Sequence, residues 1–333
     1  MEQNQYSDNP DIRFESRIDL SELQTSMNAV RHELKKVIVG QDKLIDHLLV
    51  ALLSNGHVLL EGVPGIAKTI AVKLLAKTLS AHFSRVQFTP DLMPSDILGT
   101  SVFNLKTTEF EFKRGPVFAN LILIDEVNRA PAKTQAALFE VMEERQITMD
   151  GITYAMQPPF IVIATQNPIE QEGTYRLPEA QLDRFLFKVT IDYPGLADEF
   201  EIIRREHEAK DGDKTAEVQK VISADQINRY QAITRNILVE TNLMEYIAKI
   251  VQHTRENSFL YLGASPRASL AILNAAKGFA ALAGRDFITP EDIKDAAIPV
   301  LQHRVIVSPE KEMEGLRAEQ IVREIMESIE VPR

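Results

Sequence analysis

HVLLEGVPGIAKTI, residues 57–70, passes from a short apolar run (His57 to Glu61) through a glycine-bearing turn into a helical pattern. It comes within one residue of G-x-x-x-x-G-K-[ST], whose backbone N–H groups wrap a nucleotide's phosphates at a helix N-terminus. Gly62, Val63, Pro64, Gly65, Ile66 and Ala67 make the loop, and Lys68, Thr69 and Ile70 open the helix. Lys68 is suited to neutralise the β and γ phosphates, and the Thr69 hydroxyl to ligate Mg²⁺. Ala67 stands where the pattern has its second glycine; a helical backbone tolerates alanine there, and Gly65 can supply the conformational freedom instead. Strand, loop and helix in this order predict a nucleotide-binding α/β fold.

Outward from the loop, apolar runs recur at Arg85 to Thr89, Leu121 to Asp125, Phe160 to Thr165 and Leu186 to Ile191. Their lack of alternation suits strands buried on both faces, and helical stretches at about Lys68 to Ser80 and Pro131 to Arg145 suit crossovers. A five-stranded, mostly parallel sheet flanked by helices is expected. Before it, Leu20, Leu23, Met27, Val30, Leu34 and Val37 mark one helix face, Gly40 interrupts, and Lys43 to Ser54 reads as a second helix. Beyond Pro194 no strand is expected. Ser223 with Gln226, and Thr289-Pro290-Glu291-Asp292, are helix starts, and Leu243 to Arg255, Ser265 to Leu282, Glu291 to Leu301 and Met313 to Ile329 read as amphipathic helices. The resulting plan is a polar, weakly ordered lead-in over 1–19, a nucleotide-binding core over 20–195 and a smaller all-helical domain over 196–333. Glu208 to Thr215 reads as an exposed loop.

The run Leu121 to Ile124 delivers Asp125 and Glu126 to a strand's C-terminal end, where open α/β sheets bind ligands. Asp125 is placed to hold Mg²⁺, directly or through water, and Glu126 to orient and deprotonate an attacking water. Ala164-Thr165-Gln166-Asn167-Pro168 closes the fourth run. Alone, Asn-Pro is a turn signal; beside a phosphate loop, the Asn167 amide can bond the γ-phosphate or the water.

In order, GVPGIAKT, LILIDEVNRA, ATQNP, LPEAQLDRF and GASPRASL resemble the motifs of the AAA+ ATPases, and among them the MoxR family, relatives of magnesium-chelatase ATPase subunits. The resemblance runs from about Val37 to the C-terminus, and MoxR-type loops often carry alanine at the position of Ala67. It implies that Lys68 and Thr69 form the first phosphate motif, Asp125 and Glu126 the second, and Asn167 the first sensor. It also implies an arginine finger at Arg184 reaching a neighbouring subunit's γ-phosphate, a second sensor at Arg267, and adenine packing by Val37 to Gly40, with Val39 and Gly40 at the base. Arg129 and Arg176 are further candidates. Leu98 to Phe118, with Phe103, Phe110 and Phe112, resembles a hairpin insert of the MoxR and chelatase branch, facing a central pore or simply packing on itself. Gln146 to Pro158, turning at Asp150-Gly151, resembles the hairpin before the first sensor. A finger in trans implies a homo-oligomer, expected as a hexameric ring. The family resemblance also implies chaperone-like maturation of a protein client, including metal insertion and complex assembly, often with a partner carrying a von Willebrand A domain.

Composition narrows the alternatives. Among 333 residues, 37 Lys and Arg face 48 Asp and Glu, and the net charge of -11 argues against a broad nucleic-acid footprint. No Cys is present, so thiolate nucleophiles and Cys-ligated metals are excluded. The seven His residues form no H-E-x-x-H, and no G-x-S-x-G occurs. No apolar run reaches the roughly 18 residues of a membrane span, and the polar start does not read as a leader, so a cytoplasmic location is expected. The reading is a Mg²⁺-dependent ATPase of MoxR type. Its rivals are a nucleotide-dependent assembly scaffold with little hydrolysis and a DNA-associated AAA+ motor.

Overall fold

Five strands carry the main sheet: β1 (His57–Glu61), β2 (Phe83–Gln87), β3 (Leu121–Asp125), β4 (Ile161–Gln166) and β5 (Phe185–Thr190). All pair in parallel, in the order β5-β1-β4-β3-β2. The computed structural model describes residues 18–332 except 64, 67, 169–173 and 209–213, and of 214 only the backbone. Most of the lead-in, Pro64, Ala67 and most of the Glu208 to Thr215 loop therefore lie outside the described residues.

The runs of β1, β3 and β4 fail to alternate because the sheet has a core on each side, whereas the edge strand β2 leaves Arg85 and Gln87 exposed and so is not buried on both faces as expected. Val58, Leu60, Leu123 and Ile163 enter one core, while Leu59, Ile122, Ile124 and Val162 enter the other. The first is covered by α1 (Ser21–Lys35), α2 (Asp42–Leu53) and α3 (Lys68–Thr78), the second by α4 (Ala132–Glu144). Three strands shift by one or two residues from the expected limits, since pairing rather than apolar character sets their ends.

The C-terminal helices are α5 (Leu196–Glu208), α6 (Ala224–Arg235), α7 (Thr241–Glu256), α8 (Pro266–Leu282), α9 (Pro290–Leu301) and α10 (Ala318–Ser328). Tyr230, Ile247, Ile272 and Val300 share the first core with α1 to α3. Both expected helix starts are capped: Ser223 Oγ accepts from the Gln226 N–H at 3.2 Å, and Asp292 Oδ2 accepts from the Thr289 N–H at 2.7 Å. Gly278 lets α8 press on α2, because a Cβ there would lie 2.7 Å from Ser54 Oγ and from Val50 Cγ1.

Three further expectations need correction. Helix α3 stops at Thr78 rather than Ser80: the Val221 N–H takes the Thr78 carbonyl, and Leu79–Ser80 pair with Ile222–Ser223. Strands also continue past Pro194, in that pair and in the antiparallel ribbon Leu260–Leu262 with Ile306–Val307. Met313 to Ile329 is not one helix but the end of a five-residue helix, Pro309–Met313, followed by α10, with Gly315 at φ +83 between them.

His57, the first residue of β1, is buried: its Nδ1 accepts from the Val162 N–H at 2.9 Å, leaving Nε2 to donate to the Met142 carbonyl at 3.2 Å. Burial, followed by the nearby Arg145 charge, pushes its pKa down to about 3. Between pH 6.5 and 3 the unfolded imidazole is protonated and the folded one is not, so stability falls as pH drops. From pH 7 to 5 this histidine alone accounts for about 2 kcal/mol of lost stability. Urea melts at the two pH values should show the loss in wild type and a smaller one in His57→Gln; an identical pH dependence would refute the assignment.

Candidate active site

The carboxyl edge of the sheet gathers polar residues by register: Glu61 lies opposite Gln166, and Gln87 opposite Asp125. The loop from β1 to α3 closes over this edge. Gly65 adopts φ +87 with open space around a hypothetical Cβ, so glycine there answers to backbone conformation. Gly62 answers to space, since a Cβ would sit 2.8 Å from the Ile191 carbonyl. From the first turn of α3, Lys68 Nζ donates to the Gly62 carbonyl and lies 3.4 Å from that of Gln166. Its ammonium therefore spans the mouth between β1 and β4.

Thr69 Oγ1 donates to Asp125 Oδ1 at 3.0 Å. Asp125 is 4% exposed, and a carboxylate so enclosed needs compensation. Arg85 Nε donates to its Oδ2 at 2.7 Å, and Thr165 Oγ1 lies 3.4 Å from its Oδ1. Glu126 follows with φ +57, a left-handed conformation unusual for a non-glycine residue and common at functional sites. Its N–H donates to Thr165 Oγ1 at 3.0 Å. Its Oε2 accepts from Gln87 Nε2 at 2.8 Å and pairs with Arg129 Nε at 2.9 Å. Lys68, Thr69, Asp125, Glu126 and Asn167 line one cleft of about 430 Å³, with Gly65, Ile70, Arg85, Gln87 and Thr165.

A second cavity of about 370 Å³ is lined by Gly40 to Leu44 and by Val189 to Gly195 with Asp198. The Ile191 carbonyl that restricts Gly62 belongs to this second wall, which therefore abuts the chain just after β1. Gly40, at φ +71, runs so close to Asp198 that a Cβ would overlap its carboxylate. Val39 immediately precedes it.

Arg184 and Arg267 do not line the cleft of their own chain. Arg184 directly precedes β5, at the amino edge of the sheet, and its Nη1 donates to the Ala180 carbonyl at 2.7 Å. Its Nε lies 3.6 Å from Glu143 Oε2, while Arg267 Nη2, in the first turn of α8, donates to Glu143 Oε1 at 3.1 Å. Both arginines thus converge on one carboxylate near the end of α4. Asp183 is clamped by the buried Arg304, whose Nε donates to its Oδ1 at 2.7 Å and whose other nitrogens bond the carbonyls of Asp183, Phe185 and Val300. Arg129 meets Glu126, whereas Arg176 is exposed and outside the cleft lining.

Arg85, Gln87 and Thr165 were not singled out in the sequence. The available signal was a period of two: Arg85 and Gln87 alternate with the apolar Val86 and Phe88, and so share one face of β2. The hairpin Gly99–Asn104 with Glu109–Arg114 packs only part of its aromatic set. Phe112 packs on Tyr154 at 4.7 Å between ring centroids, while Phe103 and Phe110 face each other at 5.2 Å and stay exposed. The second hairpin turns at Asp150-Gly151, both with positive φ.

A family model described as "ATPase family associated with various cellular activities (AAA)" matches residues 57–187, and an AAA lid domain model matches 252–325. Chaperone MoxR1 of Mycobacterium tuberculosis is 44% identical over 322 residues, covering 94% of this chain and 84% of that protein. The chain belongs to the MoxR family of AAA+ ATPases. Its MoxR relatives also include Protein MoxR of Methylorubrum extorquens, 29% identical over 322 residues and covering 90% of this chain and 93% of that one. The crystal structure of a candidate ATPase from Cytophaga hutchinsonii matches with a TM-score of 0.86 at 42% identity, covering 94% of this chain and 97% of that one. As in the MoxR pattern, the AAA sheet is followed by a helical lid, here with one short ribbon. Among the described residues, no helix is long and apolar enough to cross a membrane.

Proposed function

We propose that this MoxR-family chain is a Mg²⁺-dependent ATPase that works as a ring and spends the cycle on reshaping a protein client. The observation that carries the reading is the convergence of Lys68, Thr69, Asp125, Glu126 and Asn167 on one cleft at the carboxyl edge of a parallel sheet.

The residues present fit MgATP. The Lys68 ammonium rests on carbonyl oxygens that phosphate oxygens can replace, and Lys68 opens α3, a helix whose N-terminus favours anions. Thr69 and Asp125 offer two hard oxygen donors 3.0 Å apart. Bound there, Mg²⁺ would supply neutralisation of charge on the β and γ oxygens. Val39 and Gly40 are assigned to the adenine through the second cavity. Glu126 is the base that takes a proton from water, and Asn167 the amide that orients it. The hydrogen bond from Gln87 and the pair with Arg129 hold the Glu126 carboxylate until it is needed.

Arg184 and Arg267 share Glu143 at a distance from their own cleft, which supports assigning both to the cleft of a neighbouring copy. A heterologous contact repeated around an axis closes a ring, for which six copies are proposed. Residues 20–195 form the catalytic unit and 196–333 the lid. The name of the Mycobacterium tuberculosis relative supports a chaperone role. Maturation or metal insertion in a client and a von Willebrand A domain partner are proposed from the family resemblance. A scaffold without hydrolysis has no use for a base at Glu126, and the charge of -11 counts against a DNA motor.

The test compares wild type with Lys68→Ala by equilibrium ATP binding and phosphate release. Removing the ammonium is expected to weaken ATP binding at least about tenfold, as loss of a charge-assisted contact does. Unchanged binding would overturn the site.

A further inference from the structure

At the amino edge of the sheet, far along the chain fold from the phosphate loop, three cations meet between core and lid. A cavity of about 270 Å³ is lined there by Asn55 and Arg145 from the core and by Thr234, Arg235, Asn274 and Lys277 from the lid. No carboxylate lines it, and among the described residues none forms an ion pair with Arg145, Arg235 or Lys277. In a chain of net charge -11, three neighbouring cations without a counter-charge stand out from the rest of the surface.

Neutral partners hold two of these cations in place. Arg145 Nη1 and Nη2 donate to Asn55 Oδ1 at 3.0 Å and to the Asn55 carbonyl at 2.8 Å, and Lys277 Nζ donates to the Arg235 carbonyl at 2.7 Å. Ser54 Oγ bonds the Asn274 carbonyl at 3.0 Å, tying the core wall to the lid wall. Arg145 occupies the position that closes α4 at φ +53, where glycine or asparagine is usual, and Asn55 opposite it also sits at φ +53. An arginine in that conformation points to a use for its side chain rather than for its backbone. Burial, and then the Arg235 charge, lower the pKa of Arg145, and burial lowers that of Lys277. Like charges with amide and hydroxyl neighbours, two of them held in place, are the donor set that binds phosphoryl oxygens.

We propose that this cavity binds a small phosphoryl oxyanion, of orthophosphate to pyrophosphate size, between the core cation Arg145 and the lid cations Arg235 and Lys277. Three positive charges match a multivalent anion better than a single carboxylate, and the volume holds such an anion with some of its water. The bound anion joins the two walls and stabilises the packed lid, because it binds the folded arrangement alone.

The site is independent of the nucleotide cleft, and so is its test. The full chain carrying Lys68→Ala, which disables the phosphate loop, is titrated with pyrophosphate and with orthophosphate by calorimetry and thermal unfolding. Sodium chloride at matched ionic strength is the control. Both anions are expected to raise the melting temperature above the control, with one site per chain, and the tighter of the two fixes the ligand's size. Adding Arg235→Gln or Lys277→Gln should weaken binding about tenfold each, the factor for one lost charge-assisted contact. The wild-type chain with its cleft filled by a non-hydrolysable ATP analogue should show the same shift, which guards against a folding defect in Lys68→Ala. No binding beyond the control in either background overturns the proposal. Binding that survives both lid substitutions, or lid substitutions that alter only subunit assembly, overturns it as well.

Discussion

Glu126→Gln is expected to lower ATP turnover at least about a hundredfold while leaving ATP affinity within about threefold of wild type. The amide is nearly isosteric with the carboxylate and keeps one acceptor oxygen for Gln87 Nε2, so the left-handed turn after β3 and its contacts survive. What it cannot do is take a proton, and a positioned general base contributes about 10² to 10⁴ in rate. The groups assigned to binding, Lys68, Thr69 and Asp125, are untouched: Asp125 keeps Thr69 at 3.0 Å and Arg85 at 2.7 Å. Phosphate release and equilibrium binding of a fluorescent ATP analogue, measured on both proteins, separate the two effects. If wild type and variant turn over equally slowly while both bind ATP, the chain is a nucleotide-dependent scaffold and the hydrolytic reading fails.

The fold was legible where physics acts over short spans. β1 and the start of α3 were readable from fourteen consecutive residues. β3 and β4 were readable because two cores make both strand faces apolar. What stayed hidden depends on residues far apart. The pairing of Leu79–Ser80 with Ile222–Ser223 joins two residues to two others across more than a hundred positions, too few to leave a periodic signal. Met313 to Ile329 misled because apolar spacing continues across Gly315, and only the left-handed backbone there shows the break. The cleft divides the same way. Lys68, Thr69, Asp125 and Glu126 announce themselves by local pattern, whereas Arg85 reaches Asp125 only through the register of β2 on β3. Likewise the motifs around Arg184 and Arg267 are local, but their common attachment to Glu143 belongs to tertiary structure.

That attachment makes the second large effect testable. Arg184→Ala alone is expected to reduce ATP turnover by about 10³-fold or more, the scale measured for arginine fingers. Lys68→Ala chains are expected to be inactive for a different reason, having no competent cleft of their own. Mixed in equal amounts, the two should recover activity that neither shows alone. A chain carrying Arg184→Ala has an intact cleft and receives a good arginine whenever its neighbour is Lys68→Ala, which random assembly achieves at about a quarter of the interfaces of a ring. Recovery should therefore approach about a quarter of the wild-type rate if sites fire independently. The same mixing with Arg267→Ala asks whether the second arginine also crosses the interface: recovery places it in trans with Arg184, as their shared Glu143 suggests. A cis-acting Arg267 gives none, because the only intact cleft then lies in the chain that has lost it. If Arg184→Ala mixtures stay inactive at every ratio, Arg184 is a structural residue that holds the start of β5 against α4, and the finger lies elsewhere, with Arg129 and Arg176 the next residues to substitute.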